Sequence, residues 1–184
     1  MLTELRNRVR FWSAADRIGP DIPWTHWRLH FPSRMRALCA AKFRAFGPGA
    51  EFRAGAYAIW CSNISIGRRV VIRPGTMLFA NQVGTITIED DVMLGSGVHI
   101  YVGNHRFDDA SLPIIDQGHS VAQPVVLEQG CWIGANAIIL PGVRVGRNAV
   151  VGAGSVVTRS VAAGVVAAGN PARVIRDIPT AGGA

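Results

Sequence analysis

A histidine lies among polar side chains in the segment YVGNHRFDDASLPIIDQGHSVAQPVV, residues 101–126. His105 is flanked by Asn104 and Arg106, and the carboxylates of Asp108 and Asp109 follow. A neutral imidazole can remove a proton from an alcohol or an amine, since its unperturbed pKa lies close to working pH. These residue types suggest general-base chemistry at His105, and the alternative is a loop histidine that only makes hydrogen bonds.

The chain that must position this segment shows an unbroken hexapeptide repeat from Leu127 to Ala162, which reads LEQGCW, IGANAI, ILPGVR, VGRNAV, VGAGSV and VTRSVA. Neither the 3.6-residue period of a helix nor the two-residue period of a strand produces such blocks. A hexapeptide period is typical of a parallel β-helix, in which three blocks form one triangular coil of about eighteen residues. Each block begins with an aliphatic residue that should point inward, and a small or thin residue follows four positions later. The aliphatic residues are Leu127, Ile133, Ile139, Val145, Val151 and Val157, and the small ones are Cys131, Ala137, Val143, Ala149, Ser155 and Val161.

The same phase occurs earlier in the chain and breaks at two places. One break is a short insertion at residues 79–86, and the other is the long segment between Ile100 and Leu127. A β-helix accepts an insertion where a loop can leave at a corner, so both segments should project from the coils. Loops on a rigid scaffold often carry function. The earlier aliphatic positions are Ile66, Ile72, Leu78, Ile88, Leu94 and Ile100.

The pattern predicts one β-helical domain with modest appendages. We expect an N-terminal helical and irregular cap over residues 1–58, a β-helix over 59–178 with the insertion loop 101–126, and a frayed tail at 179–184. Gly134, Gly146 and Gly152 occupy the second position of their blocks, where we expect a corner with positive φ, a conformation that glycine adopts without a steric penalty.

Composition limits the function classes. The 184 residues carry a net charge of +7, from 19 basic and 12 acidic side chains. No nucleic-acid-binding module and no long arginine run accompanies this excess, so we predict no nucleic-acid partner. Cys39, Cys61 and Cys131 are widely spaced and form no C-x-x-C pair, which favours reduced thiols and no metal site. No apolar run reaches the length of a membrane span or a signal peptide, so we predict a cytoplasmic protein.

The first fifty residues differ from the repeats. MLTELRNRVRFW and SRMRALCAAKFRAF resemble short basic amphipathic helices, and GPDIPWTHWRLHF between them is rich in proline and aromatic residues. One interpretation is a cap over the open end of the β-helix, which terminal repeats usually require. Another is peripheral attachment to the anionic inner face of a membrane through arginine and tryptophan. The two interpretations are compatible.

The repeat run, the NHRFDD loop and the tail GAGSVVTRSVAAGVVAAGNPARVIRDI together resemble the hexapeptide-repeat acyltransferases over residues 60–178. The closest branches are the xenobiotic and galactoside O-acetyltransferases and those that modify surface polysaccharides. The resemblance implies a left-handed parallel β-helix, an exception to the usual right-handed crossover. It also implies a homotrimer with acetyl-CoA in the cleft between neighbouring subunits.

By this resemblance, His105 is the general base that deprotonates an acceptor hydroxyl, which attacks the thioester directly. No acyl-enzyme is expected, since Cys131 should point inward. The imidazole needs a partner to fix its tautomer, and Asp108 or a backbone carbonyl could serve. Asn81 resembles an acceptor-binding residue of the galactoside enzymes. Asn104 and Asp108 are further candidates for contact with the acceptor.

The resemblance also assigns acetyl-CoA to the last coils and the tail. Arginine binds phosphate through paired N–H donors, so a basic tail suits the phosphates of CoA, although a merely solvated basic face is the alternative. Trp132 should face outward, either beside the thioester or as an anchor between subunits. The other predicted contacts are Ala135, Ala153, Thr158, Arg159, Arg173 and Arg176.

The predicted function is therefore acetyl-CoA-dependent O-acetylation of a sugar or glycan. A small xenobiotic such as an antibiotic is an alternative acceptor, and a non-catalytic structural protein is an alternative class. A zinc enzyme of the carbonic anhydrase type would need three converging histidines, for which His99, His105 and His119 are the candidates.

Overall fold

The computed structural model describes residues 1–179 and contains three N-terminal helices and a series of short strands, the first of which lies between the first two helices. Most of the predicted frayed tail, residues 180–184, lies outside the described residues. The helices are α1 (Leu2–Ala14), α2 (Pro23–His26) and α3 (Pro32–Lys42). The strands are β1 (Arg17–Ile18), β2 (Ala45–Phe46), β3 (Glu51–Phe52), β4 (Tyr57–Ile59), β5 (Ile64–Ile66), β6 (Val71–Ile72), β7 (Met77–Phe79), β8 (Ile86–Ile88), β9 (Met93–Leu94), β10 (His99–Tyr101), β11 (Val125–Leu127), β12 (Trp132–Ile133), β13 (Ile138–Ile139), β14 (Arg144–Val145), β15 (Val150–Val151), β16 (Val156–Val157), β17 (Val165–Gly169) and β18 (Ala172–Asp177).

The strands form three parallel sheets because each coil contributes one strand to each side of a triangle. We call them sheet A (β1-β4-β7-β10-β13-β16), sheet B (β14-β11-β8-β5-β2) and sheet C (β18-β17-β15-β12-β9-β6-β3). Among the strands within residues 1–179, only β1 and β18 pair antiparallel to their neighbours. The chain passes from sheet B to sheet C to sheet A and then repeats. The parallel β-helix with N-terminal helices and a projecting loop, predicted from the sequence, is confirmed.

The hydrophobic core fills the inside of the triangle with the residues that the repeat assigned to it. The aliphatic first positions from Leu127 to Val157 and the small fifth positions from Cys131 to Val161 are all buried. Two buried hydroxyls accompany them, and both are hydrogen-bonded: Thr76 Oγ1 donates to the Gly95 carbonyl at 3.1 Å, and Ser155 Oγ accepts from the Gly169 N–H at 3.1 Å. Pairing these groups removes most of the cost of burying them.

Positive φ falls at the fourth position of the first five blocks from Leu127, two positions later than we expected. Gly134 serves a different purpose: a Cβ there would lie 2.5 Å from the backbone nitrogen of Ala153 in the next coil, so stacking of the coils requires its absence. Glycine and asparagine are the residues that tolerate the left-handed conformation best. The fourth-position residues with positive φ are Gly130, Asn136, Gly142, Asn148 and Gly154.

Helix α3 covers the first coil, whereas α1 does not. Met35, Leu38 and Cys39 of α3 are buried in the same core cluster as Phe52 of β3. In contrast, α1 contributes no buried residue. None of the helices within residues 1–179 is both long and apolar enough to cross a membrane.

The first coil is built from β2, β3 and β4, so the β-helix begins at Ala45 rather than at residue 59, where we set the boundary from the sequence. These strands pair in parallel with β5, β6 and β7. Their inward residues are Phe46, Phe52 and Ala58, which are six positions apart but are not the branched aliphatic residues of the later blocks. The six-residue spacing is therefore present in the first coil, although the branched aliphatic residues usual at these positions are not.

Candidate active site

The long insertion and the short one leave the β-helix at the same corner, between sheets A and B. Strands β7 and β10 are adjacent in sheet A, with Phe79 opposite Tyr101, and each insertion begins where its strand ends. The aromatic rings of this pair stack with centroids 4.9 Å apart. Asn81 and His105 lie near each other because successive coils place the same corner at the same position.

Backbone hydrogen bonds close the long insertion into a hairpin at its base. The Arg106 N–H donates to the Gly118 carbonyl at 3.0 Å, and the Ser120 N–H donates to the Asn104 carbonyl at 2.9 Å. His105 and His119 therefore lie directly opposite each other in an antiparallel bridge. Their ring centroids are 4.5 Å apart. We had not predicted this contact, and no periodicity in the exposed loop could have indicated it.

Polar side chains hold the outer part of the loop. Gln117 Nε2 donates to the carbonyls of Asp109 and Leu112, and its Oε1 accepts from the Asp109 N–H. The Asp109 carboxylate accepts hydrogen bonds from the hydroxyl and the N–H of Ser111, which lower the pKa of this carboxyl. The loop is thus ordered by hydrogen bonds rather than by a core of its own.

His105 borders two clefts. One, of about 360 Å³, is also lined by Phe79, Asn81, Tyr101 and His119. The other, of about 330 Å³, is lined by Asn104, Arg106, Phe107, Asp108, Ser120, Val121, Gln123 and Pro141. An exposed imidazole that borders both clefts can contact a molecule in either, and a general base must come within hydrogen-bond reach of the proton that it removes.

Two of the predicted acceptor-binding residues are already engaged in holding loops. Asn81 Oδ1 accepts from the N–H groups of Val83 and Gly84, at 3.1 Å and 2.6 Å, so its amide N–H₂ is the part left for a ligand. Asn104 Oδ1 accepts from the His105 N–H at 3.0 Å. The Asn104 amide therefore fixes the backbone of His105, and the Asn81 amide fixes the short insertion that faces it.

The structure does not bring Asp108 to the imidazole. The Asp108 carboxylate accepts instead from Arg106 Nε at 3.3 Å. Among the described residues, no side chain or carbonyl accepts a hydrogen bond from either ring nitrogen of His105. Its ring contact is His119.

Comparison with known proteins gives matches in both sequence and structure. Residues 124–159 match the family model described as the hexapeptide repeat of succinyl-transferase. A galactoside acetyltransferase solved in complex with coenzyme A is 32% identical, with a TM-score of 0.73 over 81% of this chain and 72% of that chain. A maltose O-acetyltransferase from Clostridium difficile 630 is 31% identical, with a TM-score of 0.71 over 80% and 76% of the two chains. The chain belongs to the hexapeptide-repeat acetyltransferases.

A further member of this family, a hexapeptide-repeat-containing acetyltransferase from Vibrio cholerae, is 27% identical with a TM-score of 0.71 over 81% of each chain. No curated protein sequence matches the chain significantly. The resemblance to galactoside-type acetyltransferases stated from the sequence is confirmed.

In this acetyltransferase most of the predicted CoA contacts lie on other parts of the β-helix than His105. Trp132 projects from sheet C with 49% of its surface exposed, beside Met93 at 51%. Ala135 and Ala153 lie at the corner between sheets C and A, where the Gly154 N–H donates to the Ala135 carbonyl at 2.8 Å. Thr158 and Arg159 follow β16 at the corner that also bears the loop, and Arg173 and Arg176 are exposed on β18 at the end of sheet C.

The remaining candidate residues lie in surroundings that indicate a structural role. Cys131 is buried, and desolvation raises the pKa of its thiol to about 12, so it is not a nucleophile at neutral pH. His99 Nδ1 lies 3.1 Å from the Tyr101 hydroxyl in sheet A. Within residues 1–179 no group of three or more histidine, cysteine or acidic side chains could hold a metal ion, so the zinc alternative has no ligand set there.

Proposed function

We propose that this chain transfers an acetyl group from acetyl-CoA to a hydroxyl of a sugar or glycan, with His105 as the general base. The observation that carries the proposal is the exposed imidazole of His105 between two clefts, in a member of the hexapeptide-repeat acetyltransferases. One relative was solved with coenzyme A and another is a maltose O-acetyltransferase. Acceptor and donor would each occupy one cleft.

In this reaction His105 takes the proton of the acceptor hydroxyl while the hydroxyl oxygen attacks the thioester carbonyl carbon. The carbonyl oxygen becomes an oxyanion, which a backbone or amide N–H would stabilise. Collapse of this intermediate breaks the carbon–sulfur bond, and the imidazolium returns its proton to the leaving thiolate. The raised pKa of the buried Cys131 thiol supports direct transfer rather than an acyl-enzyme.

Polar and aromatic groups around the 360 Å³ cleft suit a sugar-like acceptor. The Asn81 amide N–H₂ can donate to a hydroxyl, and the rings of Phe79 and Tyr101 form an apolar wall beside it. A site with few oriented polar groups on an apolar wall is typical of small-molecule binding. The same cleft could accept a small xenobiotic, so the acceptor class needs the assay described below.

We further propose that the complete site forms between copies of the chain in a homotrimer. His105 lies at the corner between sheets A and B, whereas Trp132, Ala135 and Ala153 lie on sheet C and its corner with sheet A. On one subunit, sheet A separates the corner that bears His105 from the corner that bears Ala135 and Ala153. Apposition of one copy's loop corner to another copy's sheet C would bring the sets together. The exposed Trp132 and Met93, neighbours in sheet C, would then be covered.

The N-terminal segment supports a further proposal, contact with the anionic cytoplasmic face of a membrane. Residues 1–44 contain nine of the 19 basic and only three of the 12 acidic side chains, and thus nearly all of the excess charge. Trp24, Trp27 and Phe31 expose between 47% and 54% of their surface in the same segment. Exposed aromatic residues among arginines are characteristic of interfacial binding. A lipid-linked glycan would then be presented to the enzyme at the surface.

The test of the function is thiol release from acetyl-CoA across a panel of free sugars, glycans and small antibiotics. We expect turnover with a sugar or glycan, and a loss of about 10²–10⁴ in kcat for His105→Ala with CoA binding retained. His30→Ala, an exposed histidine far from the loop, is the matched control. Full activity in His105→Ala would contradict the role of His105, and failure to bind CoA would contradict the enzyme assignment.

The assembly and the membrane contact have separate tests. Native mass spectrometry should give a trimer that Trp132→Asp dissociates, and a monomer at micromolar concentration would contradict the shared site.

Sedimentation with vesicles containing phosphatidylglycerol should capture the protein at low salt and lose it in the Trp24→Ala/Trp27→Ala variant. Phe107→Ala, which removes an exposed aromatic ring from the loop, is the control. Equal binding to neutral vesicles would contradict the electrostatic part of the proposal.

A further inference from the structure

His119 is the nearest ring to the proposed base, and the hairpin geometry forces that contact. The flanking backbone bonds, from Arg106 to Gly118 and from Ser120 to Asn104, make the two histidines a non-hydrogen-bonded pair. In such a pair the Cα atoms approach to about 4.5 Å and the side chains project on the same side of the ladder. The ring contact therefore follows from the backbone of the loop.

The two rings are nearly stacked, with centroids 4.5 Å apart and planes inclined by 33°. Aromatic rings in an offset arrangement at this distance attract each other. Both histidines line the 360 Å³ cleft together with Asn81. Because no other group among the described residues fixes the ring of His105 by a hydrogen bond, the contact with His119 is what limits its rotation.

We propose that His119 is a positioning residue for His105, because the ring of His119 holds the plane of the catalytic imidazole. This inference rests on the proposed acetyltransferase function. It assigns to the loop a two-histidine unit in which only His105 contacts the acceptor hydroxyl.

The experiment compares His119→Phe, which keeps a flat ring without a proton, with His119→Ala, which removes the ring. We expect kcat to fall about tenfold or more in His119→Ala, with the KM for acetyl-CoA unchanged, because a misaligned base loses rate without losing donor binding. His119→Phe keeps a ring against His105 and should recover most of the loss. Equal kcat in the wild type and His119→Ala would overturn the positioning role.

NMR relaxation of the histidine ring C–H groups tests the contact without any turnover. We expect the ring of His105 to be more mobile in His119→Ala than in the wild type and in His119→Phe. Equal mobility of this ring in the three proteins would overturn the positioning role. If no acceptor supports turnover but the difference in mobility is seen, the proposed function fails while the positioning role stands.

Discussion

The coils of the β-helix, which we call the wall, and the long loop are held together by different interactions. In the wall, an aliphatic residue every six positions is buried, and each coil is held by the strands above and below it. In the loop, residues 104–116 are all exposed, and hydrogen bonds from side chains such as Gln117 and Asp109 maintain its shape. The comparison indicates that the folding free energy resides in the wall, whereas the proposed chemistry is assigned to the loop. Substitutions should therefore separate stability from activity.

Removing a buried wall residue should have the largest effect on stability. Ile139 is fully buried in β13, which pairs with β10 in the next coil of sheet A, and Ile139→Ala should lower the free energy of unfolding by about 2–5 kcal/mol. Chemical denaturation measures this loss. In folded Ile139→Ala, kcat should stay near the wild-type value, and a large fall in kcat at unchanged structure would break the separation of wall and loop. Ile115→Ala, which truncates an exposed isoleucine of the loop, is the control.

Two glycines, one from each region, sharpen the comparison. An alanine at Gly134 would place its Cβ 2.5 Å from the backbone of Ala153, and the stacked coil cannot move away, so we expect a loss of about 1–3 kcal/mol or more. Gly118 in the loop has φ of +73° and open space around it, so Gly118→Ala carries only the conformational cost of about 1 kcal/mol. Thermal denaturation should show a clearly lower Tm for Gly134→Ala. Equal values of Tm would contradict the close approach.

The repeat made the wall predictable because burial inside a narrow triangle selects one residue type at one spacing. Where that selection is relaxed, as at Phe46, Phe52 and Ala58, the same spacing is present but was not recognised. Ala50 and Ala56, four positions after the two phenylalanines, are buried like the later small residues and were the available signal. At the ends of such a domain, the six-residue spacing is therefore a better signal of a β-helix coil than the presence of an aliphatic residue at each inward position.

The location of the loop and its polar, histidine-bearing character could be predicted from the sequence, but the contacts within the loop could not. The break in phase located it, and the resemblance assigned His105. The partner of that histidine depended on which residues the hairpin sets opposite each other, and neither composition nor spacing in an exposed segment fixes such a register. Asp108 was the nearest carboxylate in sequence, whereas the hairpin brings His119 to the ring.

A substitution in the loop should lower activity with little loss of stability, which is the reverse of the result expected for Ile139→Ala. Gln117→Ala removes two donated hydrogen bonds and one accepted bond that hold the outer loop together. We expect kcat to fall several-fold because the loop that carries His105 loosens, while the free energy of unfolding changes by less than about 0.5 kcal/mol. Gln82→Ala, an exposed glutamine in the short insertion, is the control. A loss of stability comparable to that of Ile139→Ala would mean that the loop belongs to the cooperative core.

The smallest effect should come from the surface ion pairs of the wall. Arg144 Nη1 donates to Glu128 at 2.8 Å, and this bond, more than the backbone N–H of Arg147, lowers the pKa of the carboxyl. Because the folded pKa lies below the unfolded value, the stabilisation is complete above about pH 4.3 and is lost as pH falls through the folded pKa. Arg144→Ala should therefore cost about 0.3–1 kcal/mol at pH 7 in low salt, and less as the carboxyl is protonated. Arg147→Ala keeps the backbone donor and should cost less at pH 7. A cost for Arg144→Ala that is unchanged by acid or by salt would show that its side chain stabilises the wall through packing and not through charge.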